Sequence, residues 1–230
     1  MALILQIETA TQTCSVALAK DGELLHLVEK TEKNIHASAI TLFIEELLQI
    51  SGKKFSDLDA VAVSMGPGSY TGLRIGVSTA KGICFALDIP LIGINTLAAM
   101  SSGFIDKCFS VNKQTLFCPM IDARRMEVYC AVFNSENEVV LPTEAKIIED
   151  RAFSDLFESN IIYFFGDGAA KCEEILSQNL NARIINDFTN SAAFLSKSAF
   201  NKYIQNDFED VAYFEPYYLK DFIAGKKIIE

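Results

Sequence analysis

The stretch Val63-Ser-Met-Gly-Pro-Gly-Ser-Tyr-Thr-Gly-Leu-Arg-Ile-Gly76 constrains the fold of this chain more than any other. It joins an apolar, strand-like run at residues 60–64 to a helix-like run from about residue 72. Gly66, Gly68 and Gly72 crowd a seven-residue window. Glycine accepts positive φ and lets other groups approach the backbone closely, and Pro67 stiffens the turn between two of them. A connection of this kind either closes a tight strand-to-helix turn or presents backbone N–H groups to an anion at a helix start. Both readings stay open, with Gly66 and Gly68 as the phosphate-loop candidates. No Gly-Lys-Ser/Thr follows, so this is not a P-loop, and it is not the Gly-x-Gly-x-x-Gly of dinucleotide-binding folds.

The flanking pattern predicts an α/β fold. Residues 3–7, 15–19 and 23–30 read as strands, with Asp21-Gly22 as a hairpin turn. Asn34 caps a predicted helix over residues 35–50, which Gly52 ends. Its apolar positions cover more than one core-facing stripe, so it is either sandwiched in the fold or meets a partner. A helix over 72–87, a strand over 89–94 and a short helix from Thr96 to Gly103 follow. Residues 104–113 lack periodicity and form the candidate hinge. Beyond them, 116–121, 127–133, 139–141, 161–165 and 183–185 read as strands. Residues 150–158, 169–178 and 191–204 read as helices. Both halves open on paired strands and then alternate helix with strand, the pattern of a repeated lobe. The expected division is residues 1–104 and 105–230, with the tail after about 210 returning to the first lobe.

Half of the 230 residues are hydrophobic, enough for a sizeable core and against disorder. The net charge is −10, from 30 acidic and 20 basic residues. Such a surface repels phosphate backbones. Basic residues pair only at Lys53-Lys54, Arg124-Arg125 and Lys226-Lys227. The six cysteines include no Cys-x-x-Cys and read as free buried thiols. The N-terminus reads as a strand rather than a signal peptide, and no apolar run is long enough to span a bilayer. A cytoplasmic protein is expected.

Candidate chemistry is sparse. Glu8, Thr9 and Thr11 lie where the first strand turns into the second. A carboxylate and hydroxyls there either bind a metal–phosphate group or bond their own turn. Asp122 and Arg124 lie between two apolar strands and suit a cleft or a closed hairpin. Gly166-Asp-Gly168, between strand and helix, is a weak nucleotide signal. His26 and His36 are the only histidines and make no His-Glu-x-x-His motif, so a metal site is not expected. No Gly-x-Ser-x-Gly elbow is present.

These landmarks, in this order, resemble the TsaB family. The carriers are Ile-Glu-Thr-Ala-Thr11 with Cys14-Ser-Val-Ala-Leu18, the glycine segment 66–76, residues 90–96, Ile121-Asp-Ala-Arg124 with Glu127-Val-Tyr129, and Glu215-Pro-x-Tyr-Leu-Lys220. The resemblance spans nearly the whole chain and is weakest over residues 143–213. It implies two α/β lobes of the actin/Hsp70/sugar-kinase, ribonuclease H-like, architecture. It implies a role in making N6-threonylcarbamoyladenosine at position 37 of tRNAs reading codons that start with A. The role is that of a non-catalytic subunit with no metal, no cofactor and at most weak residual nucleotide binding. Expected partners are a TsaD-like catalytic subunit, a TsaE-like ATPase and, when alone, a second copy, with tRNA met only through the complex and no membrane. The first-lobe helices are the expected dimer surface, with Ile35, Ala39, Phe43, Leu47, Leu73, Gly76, Val77 and Ala80 as candidates. Glu8 departs from the family's usual Asp. Ile40 follows His36 where catalytic relatives carry His-x-x-x-His. A small-molecule kinase or a metallopeptidase of the same superfamily is the alternative class.

Overall fold

The computed structural model describes residues 1–108 and 112–220. Lobe one runs β1 (Leu3–Glu8), β2 (Thr13–Lys20), β3 (Glu23–Thr31), α1 (His36–Ser51), β4 (Ala60–Gly66), α2 (Tyr70–Leu87), β5 (Leu91–Asn95) and α3 (Thr96–Ile105). Lobe two runs β6 (Thr115–Asp122), β7 (Glu127–Phe133), β8 (Val139–Ile147), α4 (Ser154–Phe157), β9 (Ile161–Phe165), α5 (Asp167–Lys171), α6 (Glu173–Leu176) and β10 (Ala182–Ile185). A 3-10 turn, Ala192–Leu195, leads into α7 (Ser196–Gln205).

The two five-stranded sheets have the same topology. The first is ordered β3-β2-β1-β4-β5 and the second β8-β7-β6-β9-β10. In each, three antiparallel strands are followed by two parallel to the first strand of the set. The repeat expected from the sequence is thus a repeat of strand order.

Alternation along the strands places two cores on each sheet. In β1, Leu3, Leu5 and Ile7 face α1 and α2, whereas Ile4 joins Ala62, Ile94 and Ala99 on the other side. Helix α3 is shared. Its Ala99 meets the first sheet, while Leu97, Met100 and Phe104 pack on Phe117, Phe133 and Phe165 of the second. Phe104 stacks on Phe165 with ring centroids 4.3 Å apart. Each such fully buried large apolar side chain stabilises by about 1.5–3 kcal/mol relative to exposure. Phe104 therefore belongs to an inter-lobe core, not to a hinge. Residues 109–111 of the expected hinge lie outside the described residues, as does the Lys226-Lys227 pair.

Several boundaries differ from the sequence reading. Helix α1 is capped by Ile35 rather than Asn34, whose φ of 60° carries the turn instead. Helix α2 begins at Tyr70, earlier than expected, because the Ser69 side chain accepts from the Gly72 amide and caps it. The helix expected over 150–158 shrinks to α4, and that over 169–178 breaks into α5 and α6. Strand β8 runs on past Pro142, which a sheet-edge position tolerates. The chain also returns to the first lobe well before residue 210. Leu195 and Ala199 already pack in the core of β1 and β4. Among the described residues, no helix is long and apolar enough to cross a membrane.

Candidate functional site

The structure brings the glycine segment and the β1–β2 turn together. Glu8 closes β1 and is fully buried. Its carboxylate accepts the Ala10 amide at 2.5 Å and the Ser64 hydroxyl from β4. The Asn190 side-chain amide lies close enough to favour the ionised form, although its Nδ2 makes no bond of standard geometry. Burial outweighs these donors and raises the carboxyl above its ordinary value. Ser64 and Asn190 were not singled out from the sequence, because each lies far along the chain from Glu8.

The glycines pack on this turn. A Cβ at Gly68 would lie 2.5 Å from the Ala10 carbonyl oxygen, and one at Gly72 would collide with the Thr9 carbonyl oxygen. One at Gly76 would collide with the Thr9 hydroxyl. The space vacated by missing side chains is filled by the chain's own backbone. The amides a phosphate would draw on are likewise engaged. Ser69 N–H donates to Ala10 O at 2.7 Å, Gly66 N–H to the Thr96 hydroxyl at 3.1 Å, and Gly72 N–H to Ser69 Oγ at 3.2 Å. Thr11 accepts from the Thr13 amide at 3.4 Å, so it serves its own turn. The buried Thr9 hydroxyl has no partner.

The Asp122–Arg124 loop is closed in a similar way. Arg124 and Arg125 both have positive φ, at 70° and 53°, a conformation that costs a side-chain-bearing residue energy. Local bonds hold it. The Arg124 amide donates to Asp122 Oδ1 at 2.8 Å, and the Asp122 amide to Asp167 Oδ1 at 3.0 Å. Lys171 of α5 pairs with Asp122 and donates to the carbonyls of Arg125 and Glu127 at 2.8 and 2.6 Å. Gly166 and Gly168 serve close packing on β6, since a Cβ at Gly168 would lie 2.9 Å from the Ile121 carbonyl carbon. The sequence gave no sign of Lys171, an isolated lysine whose role comes from the packing of α5 on β6.

The interface candidates need correction. Ala39, Leu47, Leu73, Gly76, Val77 and Ala80 are buried inside the lobe, between α1, α2 and the sheet. They are core positions. Ile35 and Phe43 are half-buried against the same core. The apolar groups left on the outer faces of these helices are Leu42 (60% exposed) and Ile50 (51%) on α1, and Phe85 (84%) on α2. Gly82, one turn before Phe85, has open space around it. The helical spacing found the apolar positions but not which side faced the sheet.

His36 is buried and contacts the Thr13 carbonyl through Nε2 at 3.2 Å, while His26 sits on β3. Among the described residues, no three His, Cys, Asp or Glu side chains cluster in a way that could hold a metal ion. All six cysteines are free.

Comparison with known proteins agrees with this architecture. The family model for TsaD, tRNA N6-adenosine threonylcarbamoyltransferase, matches residues 28–226. The tRNA threonylcarbamoyladenosine biosynthesis protein TsaB of Haemophilus influenzae is 30% identical over 98% of this chain and 96% of its own length. The solved structure of YeaZ from Pseudomonas aeruginosa shares the fold, with a TM-score of 0.79 at 24% identity, covering 95% of this chain and 100% of that one. An inorganic polyphosphate/ATP-glucomannokinase from Arthrobacter shares it more loosely, with a TM-score of 0.51 at 14% identity over 89% of this chain and 100% of that one. By sequence over almost its full length and by fold, the chain belongs to the TsaB family of tRNA threonylcarbamoyladenosine biosynthesis proteins.

Proposed function

We propose that this chain serves threonylcarbamoyladenosine formation as a non-catalytic subunit in the cytoplasm. It pairs with a TsaD-like catalytic subunit through the outer faces of α1 and α2, and the pair recruits a TsaE-like ATPase. When alone, it pairs with a second copy through the same face. The observation that carries the reading is the exposure of Leu42, Ile50 and Phe85 on these two adjacent helices, since clustered exposed apolar groups usually mark an association site. The packing of the glycine segment onto Thr9 and Ala10 supports the absence of turnover, because a phosphate needs unengaged amides. Nucleotide binding at Glu8, Thr9, Gly66 and Gly68 is accordingly weak.

Reconstitution tests the reading. A TsaD-like protein, a TsaE-like ATPase and tRNA should yield modified adenosine only when this chain is added. The chain alone should show neither kinase turnover nor chelator-sensitive peptidase activity. Modification at an unchanged rate without the chain, or chelator-sensitive turnover by the chain alone, would overturn it.

A further inference from the structure

The segment after α7 is bound along helix α2 at several points. Glu209 donates its amide to the Leu91 carbonyl at 2.9 Å and adds a single bridge to the outer edge of β5. Tyr217 donates to the Met65 carbonyl at 2.7 Å. Glycines make room for this path. A Cβ at Gly93 would lie 2.8 Å from Glu209 Oε1 and 3.0 Å from the Phe214 ring, and one at Gly66 2.6 Å from the Tyr217 carbonyl oxygen. Helix α2 holds the segment twice. Lys81 Nζ donates to the Ala212 and Phe214 carbonyls at 3.2 and 2.9 Å. Arg74 Nε donates to the Tyr218 hydroxyl at 3.1 Å, with its guanidinium 4.3 Å from the Tyr70 ring centre. The Tyr70 and Tyr218 rings lie 4.9 Å apart. Lys220 then pairs with Glu127, at the start of β7 in the second lobe.

We propose that residues 206–220 form a strap whose seating is coupled to partner association on the α1–α2 face. This rests on the reading of that face given above. Arg74 and Lys81 hold the strap from the helix that also carries Gly82 and Phe85. A partner that fixes α2 therefore fixes both strap anchors. A seated strap in turn restrains α2, and through Lys220 it ties this restraint to the Glu127 end of the second lobe. Such coupling is reciprocal, so loosening the strap weakens association by the same factor that association tightens the strap.

Hydrogen exchange and quantitative binding test this on the full chain. Lys81→Ala and Tyr218→Ala each remove a contact without touching Leu42, Ile50 or Phe85, and Tyr218→Phe removes only the hydroxyl. Circular dichroism selects the folded variants. In the isolated chain, both alanine variants should speed amide exchange over 207–218, and each should weaken binding to a purified TsaD-like subunit by about tenfold, the scale of one hydrogen bond plus one cation–π contact. Tyr218→Phe should show a smaller shift in both. Unchanged exchange means these contacts do not seat the strap. Faster exchange with unchanged binding means that the strap and the face are independent. Either result overturns the coupling. Leu42→Asp and Phe85→Asp distinguish the two levels. If they weaken binding while the strap variants do not, only the coupling fails. If they leave binding intact, the reading of the face fails and the coupling falls with it.

Discussion

Gly72 and Gly82 lie on the same helix, yet an alanine should act in opposite directions at the two. At Gly82 nothing lies within 4 Å of an added Cβ, so Gly82→Ala should stabilise by up to about 1 kcal/mol through helix propensity. At Gly72 the methyl would collide with the Thr9 carbonyl oxygen, a backbone atom that cannot swing aside. Overpacking of that kind costs about 3 kcal/mol and outweighs the propensity gain. Thermal midpoints of the two variants check this, and stabilisation by Gly72→Ala would refute the packing role of the glycine segment. Glu8 gives a second prediction. Burial raises its folded carboxyl above the ordinary 4.5. The folded chain therefore holds the proton more tightly than the unfolded one. The stability this contributes is present below pH 4.5 and is lost as pH rises through the raised folded value. Glu8→Gln cannot ionise, so its stability relative to the native chain should grow with pH from 4.5 upward. Denaturant midpoints at a series of pH values measure this, and a constant difference would contradict it. Burial also pushes the Cys14 thiol up to about 11 and Cys84 to about 12, which keeps both protonated and unreactive. Cys108, the half-exposed thiol, should label first, and Cys108→Ser should remove the fastest phase of thiol modification. At this scale the sequence named Glu8 and the glycines but not what touches them, because Ser64, Asn190 and Lys171 arrive through tertiary packing.

At the scale of elements, hydrophobic period located most helices and strands, and turn residues located most of their ends. The surplus of apolar positions on α1 was visible in the sequence, but their assignment to the outside was not. Spacing fixes which residues share a helix face and leaves open which face meets the sheet. Ala39 and Leu47 proved to be inward, and Leu42 and Ile50 outward. This gives a paired prediction. Leu42→Asp and Phe85→Asp should weaken self-association by about tenfold or more, as loss of a central apolar anchor does, with little change in thermal midpoint. Leu47→Asp places a charge in the core and should instead unfold the lobe. Sedimentation together with thermal melts distinguishes these outcomes. Dimers of unchanged strength in both exposed-face variants would put self-association elsewhere. The broken helix over residues 167–176 was not legible as two pieces, since α5 and α6 together keep one apolar period through Ala169, Cys172 and Leu176.

Across the whole molecule, the repeat of strand order was partly legible, because both halves open on two hairpin-connected strands. The lobe boundary was less so. Helix α3 feeds two cores at once, and residues from about 190 onward cross back to pack on β1, β4 and β5, a long-range return that no local signal announces. Net charge, by contrast, is a whole-molecule property that the sequence states outright. With 30 acidic and 20 basic side chains, the chain carries −10. Binding of a nucleic acid backbone is driven largely by counterion release onto lysines and arginines. A chain with this excess of carboxylates opposes that process at every approach except a concentrated basic patch. The pair Arg124-Arg125 is exposed, but Glu127 stands beside it and Lys171 is spent on Asp122. The isolated chain should therefore bind tRNA no more tightly than nonspecific contacts do, with a Kd weaker than about 10⁻⁶ M at physiological salt. The same tRNA should be retained once a basic TsaD-like subunit is added. Titrations at two or more salt concentrations test this. A submicromolar Kd for the chain alone, with a steep salt slope, would assign the tRNA grip to this subunit and remove the charge argument for a separate tRNA-binding partner.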